Sequence, residues 1–475
     1  MSPLPPQPIS PLDGRYRPAV QGLGEHLSEA GLNRARVHVE VEWLIALTAR
    51  GMFGSAPLDA VQARALRSFA AEFGQPEIDE LATLEATTRH DVKAVEYLVR
   101  AKLSALGLND VAELTHFACT SEDINNLSYA LTVRAAVHEV WLPRLRDVLT
   151  GLRRIAVDER ATPMLAHTHG QPATPTTVGK EFAVFVSRLE RVLARVESVE
   201  IFGKFSGATG TFAAHVVADP DADWPTISRE FVTSLGLSWN GLTTQIESHD
   251  WQAELFSGIS HLNRILHNLC TDLWTYISMG YISQVPQAGA TGSSTMPHKI
   301  NPIRFENAEA NLEISSALLD SLAATLVTSR MQRDLTDSTT QRNIGVAVGH
   351  SLLALDNLAR GLDEIAIAHS ALATDLDGHW EVLGEAIQTV IRAEVTAGRS
   401  SIADPYALLK ELTRGHRTGP AELRAFVQGL DIGADAKTRL LELTPANYIG
   451  LADELVDLLP ESRGAPALII RGGTG

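Results

Sequence analysis

Apolar side chains recur at steps of three and four residues through the middle of the chain. Leu255, Ile259, Leu262, Leu266, Leu269, Leu273 and Ile277 form one such stripe, and Phe182, Phe185, Leu189, Val192, Val196 and Val199 form another. That period is the mark of an amphipathic helix. The first stripe lasts about six turns, or roughly 30 Å at 1.5 Å per residue. Helices of that length pack lengthwise on one another at shallow crossing angles. Period-two alternation, the mark of a half-buried strand, is scarce. The pattern predicts an all-α protein whose middle is an elongated bundle of long helices.

Breaks in the pattern set the organisation. Residues 203–210 are rich in glycine, serine and threonine, and residues 284–301 hold two glycines, two prolines and two serines. The second break is long for a bundle connection, and loops beyond about 12–15 residues in compact domains are commonly functional or disordered. Before the bundle the helices are shorter, as at Asn33 to Arg50. After it, from about His369, turns fall at Gly398, Gly415, Gly419 and Gly433. Three regions result: an N-terminal helical domain (1–110), a central bundle (111–365) carrying the loop 284–302, and a C-terminal helical domain (366–475). The last ends in a Pro- and Gly-rich tail with a short extended piece at Ala467 to Ile470.

Composition narrows the class. With 475 residues, 45% of them hydrophobic and 20% charged, the chain is a folded protein rather than a disordered or fibrous one. No run approaches the roughly 18 apolar residues of a membrane span, and the first eight residues lack a basic-then-apolar leader pattern. A cytoplasmic location with no membrane partner is the expectation. The net charge of −17, from 40 basic against 57 acidic residues, speaks against a nucleic-acid partner. A small anionic substrate would need a local basic site. Cys119 and Cys270, outside any CxxC or zinc spacing, read as two reduced thiols.

Five polar clusters concentrate groups useful in a cleft. The turn around Arg15 and Tyr16 offers a guanidinium fork and a hydroxyl. Residues 87–93 bring together two hydroxyls, two cations, His90 and Asp91. In residues 115–126, Thr120 or Ser121 is placed to cap a helix running from Glu122, where free amides attract anions. A surface turn or an ordinary helix cap gives the same three patterns. The fourth cluster, Ala166 to Thr174, holds His167 and His169 before Gly170. No third ligand at familiar spacing accompanies them, so general acid–base chemistry is favoured over zinc. The fifth, Gly292 to Pro302, offers hydroxyls, His298, Lys299 and Asn301, a set suited to an oxyanion. Beyond it, Arg330, Arg333 and Arg342 surround Asp334, Asp337 and Ser338.

At these residues a resemblance emerges. Gly292-Ser-Ser-Thr-Met-Pro-His-Lys-Ile-Asn301 is similar to the GSSxMPxKxN signature of the fumarase/aspartase superfamily, which is specific for the superfamily but not for the substrate. SPLDGRY from Ser10, HDVKAVEY from His90, HFACTSEDINN from His116, THGQPATP from Thr168 and QRDLTDS from Gln332 resemble the adenylosuccinate lyase family in its longer-chain bacterial form. The likeness runs from Ser10 to about Val456. It implies a three-domain, all-α fold and a homotetramer with active sites shared between subunits. It further implies a carbon–nitrogen lyase that releases fumarate from adenylosuccinate and from SAICAR, with no cofactor and no metal.

The resemblance also assigns roles. Ser293 would be the base, His169 the acid for the departing nitrogen, and Lys299 and Asn301 the stabilisers of the carbanionic intermediate. The residues alone would have nominated His298 as base, since a free hydroxyl is a poor one. Arg15, Tyr16, His90, Asp91, Gln245, Arg333, Ser338 and Arg342 fall around the nucleotide. Thr120, Ser121 and Ser294 fall near the succinyl part, and Asn307 joins the site. His167 departs from the family's arginine, which would make an anion contact there pH-dependent. Sibling lyases such as argininosuccinate lyase share the signature loop but not the other motifs. A non-catalytic helical scaffold would be free to lose Ser293, His169 or Lys299, and all three are present.

Overall fold

The structure, a computed structural model, describes residues 8–285, 296, 299–413 and 419–460. Five long helices make the centre: Leu142–Asp158, Val178–Glu197, Asp250–Ser278, Ile303–Leu326 and Ile344–Asp363. Asp250–Ser278 packs on Ile303–Leu326 and Val178–Glu197, while Leu142–Asp158 packs on Val178–Glu197 and Ile344–Asp363. Ile303–Leu326 lies against Ile344–Asp363, which closes the ring. The stripe from Leu255 to Leu273 is buried. The second stripe is buried from Phe182 to Val196, but its helix ends at Glu197, so Val199 packs from the following loop.

Length explains the regularity. The Asp250–Ser278 helix has 29 residues, about 43 Å at 1.5 Å per residue, and has apolar neighbours along its length. A chain of buried polar groups crosses the bundle between those apolar layers. Trp141 Nε1 donates to Ser351 Oγ (2.8 Å), which donates to Asn263 Oδ1 (2.8 Å). Asn263 Nδ2 donates to Ser315 Oγ (3.0 Å), which donates to the Ala347 carbonyl (2.7 Å). Every member has a partner, the condition under which buried polar groups specify a packing register rather than weaken it. Replacing the fully buried Leu266 with alanine is expected to cost about 3 kcal/mol. An unchanged melting temperature in that variant would show that this helix is not part of the cooperative core.

Among the described residues, three small two-stranded sheets interrupt the helical architecture. Pro163–Thr168 and Gln171–Thr177 form an antiparallel hairpin with a register shift between Leu165 and His167. Phe202–Gly203 pairs parallel with Ser238–Trp239, and Ile282–Gln284 pairs antiparallel with Ile365–Ile367. The last sheet fastens the start of the segment carrying the signature motif to the end of the bundle.

One apolar core extends from Leu12 to Val456. A second, smaller core gathers Trp380, Leu383, Ile387, Ile391, Leu423, Val427 and Leu440. Among the described residues no helix is long and apolar enough to cross a membrane. Ala467 to Ile470 lie outside the described residues.

Candidate active site

Two 15-residue helices begin at the same place. Asp91–Ala105 is capped by His90, whose Nδ1 accepts from the Lys93 amide (3.2 Å). With Nδ1 an acceptor, the neutral ring carries its proton on Nε2. Ser121–Ala135 is capped at Thr120, where the Thr120 amide donates to Asp123 Oδ2 (2.8 Å). Both N-termini, with their positive dipole ends, border a cavity of about 460 Å³. That is within the ~300–1,000 Å³ of small-molecule sites.

The cavity brings together eight of the residues singled out from sequence. His90, Asp91, Thr120 and Ser121 come from the two helix starts, and Gln245, Arg333, Ser338 and Arg342 come from later segments. Gln245 Nε2 donates to the Ala208 carbonyl (2.8 Å), and Arg333 Nη2 to Ser338 Oγ (3.3 Å). Gly210 makes this approach possible: at φ +75°, an added Cβ would collide with the Thr243 carbonyl. Arg36, Arg89, Arg333 and Arg342 line the cavity against the carboxylates Glu85 and Asp91. A chain of net charge −17 thus has a locally basic cleft, matched to a phosphate and carboxylates.

Burial raises the affinity of Asp91 for a proton, but Arg36, the Val92 amide and Arg342 overcome it and hold the carboxyl below its usual range. Asp337 follows the same logic. Burial pushes it up, and His249 with Arg333 brings it below the ordinary value. Both carboxylates remain ionised at neutral pH and hold the cleft's guanidinium groups.

The remaining sites lie elsewhere on the chain. His169 is exposed, at the tip of the hairpin, with φ +54°. Gly170 follows at φ +72°, and two consecutive positive-φ residues make the turn that suits a two-residue hairpin. The loop read around His169 is therefore the tip of a strand pair. Tyr16 and Asn307 meet each other: Asn307 Nδ2 donates to Tyr16 Oη (3.2 Å), while Asn307 Oδ1 accepts from Asn357 (2.9 Å). Arg15 is exposed beside them. Lys299 and Asn301 are exposed ahead of the Ile303–Leu326 helix. Ser293, Ser294 and His298 lie outside the described residues. Among the described residues, His169, Lys299, Asn301, Arg15, Tyr16 and Asn307 do not line the 460 Å³ cavity.

Sequence reading passed over Arg36, Asn125 and Tyr129, and took Arg89 only as one of the two cations of residues 87–93; all four line the cavity. Arg36 had a detectable signal, a cation placed next to Val37, Val39 and Val41 in a helix. A charge amid apolar helix positions has to find partners when it is buried. Arg89 adopts φ +52° at the end of the Gln75–Thr88 helix, a conformation uncommon outside glycine and asparagine.

Residues 14–313 match a family model described as Lyase, and residues 329–449 match one described as adenylosuccinate lyase C-terminal. The adenylosuccinate lyase of Escherichia coli (strain K12) is 47% identical over 453 residues, covering 95% of this chain and 98% of that protein. The Haemophilus influenzae adenylosuccinate lyase is 46% identical with the same coverage of each. Among solved structures, a fumarate lyase from Mesorhizobium sp. BNC1 superposes with a TM-score of 0.73 at 20% identity, over 92% of this chain and 97% of its own. The 3-carboxy-cis,cis-muconate lactonizing enzyme of Pseudomonas putida gives 0.72 at 21% identity, over 92% and 95%. Those two show a shared fold. With near-complete coverage at 47% identity and matched family models over both parts of the chain, the protein belongs to the adenylosuccinate lyase family.

Proposed function

We infer that the chain eliminates fumarate from adenylosuccinate, giving AMP, and from SAICAR, giving AICAR. The observation that carries this reading is the 47% identity over almost the whole of both chains. The basic cleft supports it, since either substrate carries two carboxylates and a phosphate of about −1.5 to −2 charges near pH 7.

The chemistry divides into a proton removed and a proton supplied. Ser293 takes the proton from the succinyl carbon next to a carboxylate, and the electron pair left behind is spread into that carboxylate. Lys299 and Asn301 stabilise the accumulated charge. The C–N bond then breaks, the pair closes the fumarate double bond, and His169 gives the departing nitrogen its proton. The cleft around His90, Asp91, Arg333 and Arg342 holds the nucleotide, and Thr120 and Ser121 hold the succinyl part.

His169 and Lys299 lie outside the cleft of their own chain, which favours a site that takes groups from more than one copy, as in the homotetramer that the family resemblance implies. Incubating the purified protein with adenylosuccinate tests the function. AMP and fumarate in equal amounts are the expected products. No turnover by a folded assembly would redirect the search to other succinyl-bearing substrates of the superfamily.

A further inference from the structure

We propose that Arg36 is a positioning residue of this cleft: its buried guanidinium fixes Asp91 directly and fixes Arg333 through Asn125 and Glu122. The proposal rests on the lyase reading above. Arg36 projects from the Glu29–Ala49 helix and is 2% exposed. A cation so placed is tolerated only with its donors satisfied. Nε donates to Asn125 Oδ1 (2.9 Å), Nη1 to Asn33 Oδ1 (2.8 Å) and Nη2 to Asp91 Oδ2 (2.8 Å).

The chain of contacts continues without a gap. Asn125 Nδ2 donates to Glu122 Oε1 (2.8 Å), and Arg333 Nη1 reaches the same oxygen (2.8 Å). The Asn125 amide has one possible orientation, because a guanidinium only donates and a carboxylate only accepts. At the other end Arg342 Nη2 joins Asp91 Oδ2 (3.3 Å). Glu122 and Asn125 are buried with Arg36. Six side chains, Arg36, Asp91, Glu122, Asn125, Arg333 and Arg342, are thus linked in one geometry, and both ends of the chain of contacts face the cleft. Three of the N–H donors of Arg36 are taken up by this network, and through those neighbours it acts on substrate.

Asp91 is the sensitive member. The charged and titratable groups around it are Arg36, Arg342 and His90, with Glu29 and Tyr129 beyond Arg342. Arg36 is the strongest force opposing the burial that favours the protonated acid. Without Arg36 the carboxylate picks up its proton at a higher pH. Binding that needs the ionised form then fails earlier as pH falls.

The experiment compares wild type, Arg36→Gln and Arg36→Lys in adenylosuccinate turnover across mildly acidic to neutral pH. Arg36→Gln is expected to raise KM on the order of tenfold, as for losing charged hydrogen bonds, with a smaller change in kcat. Its acid limb of kcat/KM moves to higher pH. Arg36→Lys keeps the charge but not the fork, so the limb stays near wild type while KM is intermediate. A purely structural Arg36 would lower the active fraction, and so kcat, without moving KM or the limb. Arg36→Gln with wild-type KM and an unmoved limb overturns the proposal. Should that variant fail to fold, Arg36→Lys and Asn125→Ala decide, and wild-type KM in both overturns it. AMP affinity by calorimetry, weakened in Arg36→Gln if the proposal holds and unchanged if it does not, separates this failure from wild-type inactivity toward adenylosuccinate.

Discussion

Alanine at position 169 is expected to lower kcat on the order of 1,000-fold, the scale of a lost general acid. The nitrogen leaving the succinyl carbon would otherwise depart as a strong base, so the penalty falls on the chemical step and KM changes little. Ser293→Ala is expected to lose as much by removing the base. Steady-state AMP formation measures both, with circular dichroism and size-exclusion chromatography confirming fold and assembly. A folded variant with a wild-type rate would remove that residue from its assigned role. Mixing extends the test. His169→Ala combined with an inactive Arg333→Ala recovers activity if one chain's hairpin serves another chain's cleft, because some mixed sites then contain every group. No recovery after verified subunit exchange would argue that each chain completes its own site.

The second large effect concerns stability. Lys204 and Asp123 are both fully buried and paired at 2.9 Å. Asp123 also accepts from the amides of Thr120 (2.8 Å), Ser206 (2.9 Å) and Gly207 (3.1 Å), while Lys204 Nζ donates to the Gly207 carbonyl (2.9 Å). Asp123→Ala leaves an ammonium without a counter-charge and three amides without an acceptor. Breaking a buried pair from one side costs about 3–5 kcal/mol, so the variant should melt far below wild type or fail to accumulate as soluble protein. Asp123→Asn combined with Lys204→Met removes both charges together and is expected to cost less than Asp123→Ala. Wild-type melting of Asp123→Ala would show that water or another group compensates the ammonium.

The long helices were readable because each buries one continuous stripe, and the 3.6-residue period survives in the order of residues. The hairpin holding His169 was not. Its strands contain Pro163, Pro172 and Pro175 with threonines, and a register shift at Leu165–His167 breaks the alternation that marks a strand. The cleft was half legible. Thr120, Ser121, His90 and Asp91 sit at helix starts, where capping chemistry leaves a local signature. Arg36 and Asn125 are 89 positions apart, and Tyr16 and Asn307 are 291 apart. Such pairings depend on the bundle's geometry and have no local trace in one sequence.

Eight described non-glycine residues take positive φ, among them Arg89, His116, Ala118, His169, His249 and Met331. Those six stand in or near the segments that supply the cleft and the hairpin tip. Each left-handed side-chain-bearing residue costs of order 1–2 kcal/mol. A thermostability campaign that substitutes glycine wherever φ is positive would therefore concentrate on the working parts of the molecule. Its gains in melting temperature would come with loosened imidazoles and guanidinium groups. Heat resistance gained in this way would be drawn from the same residues that give the cleft its precision.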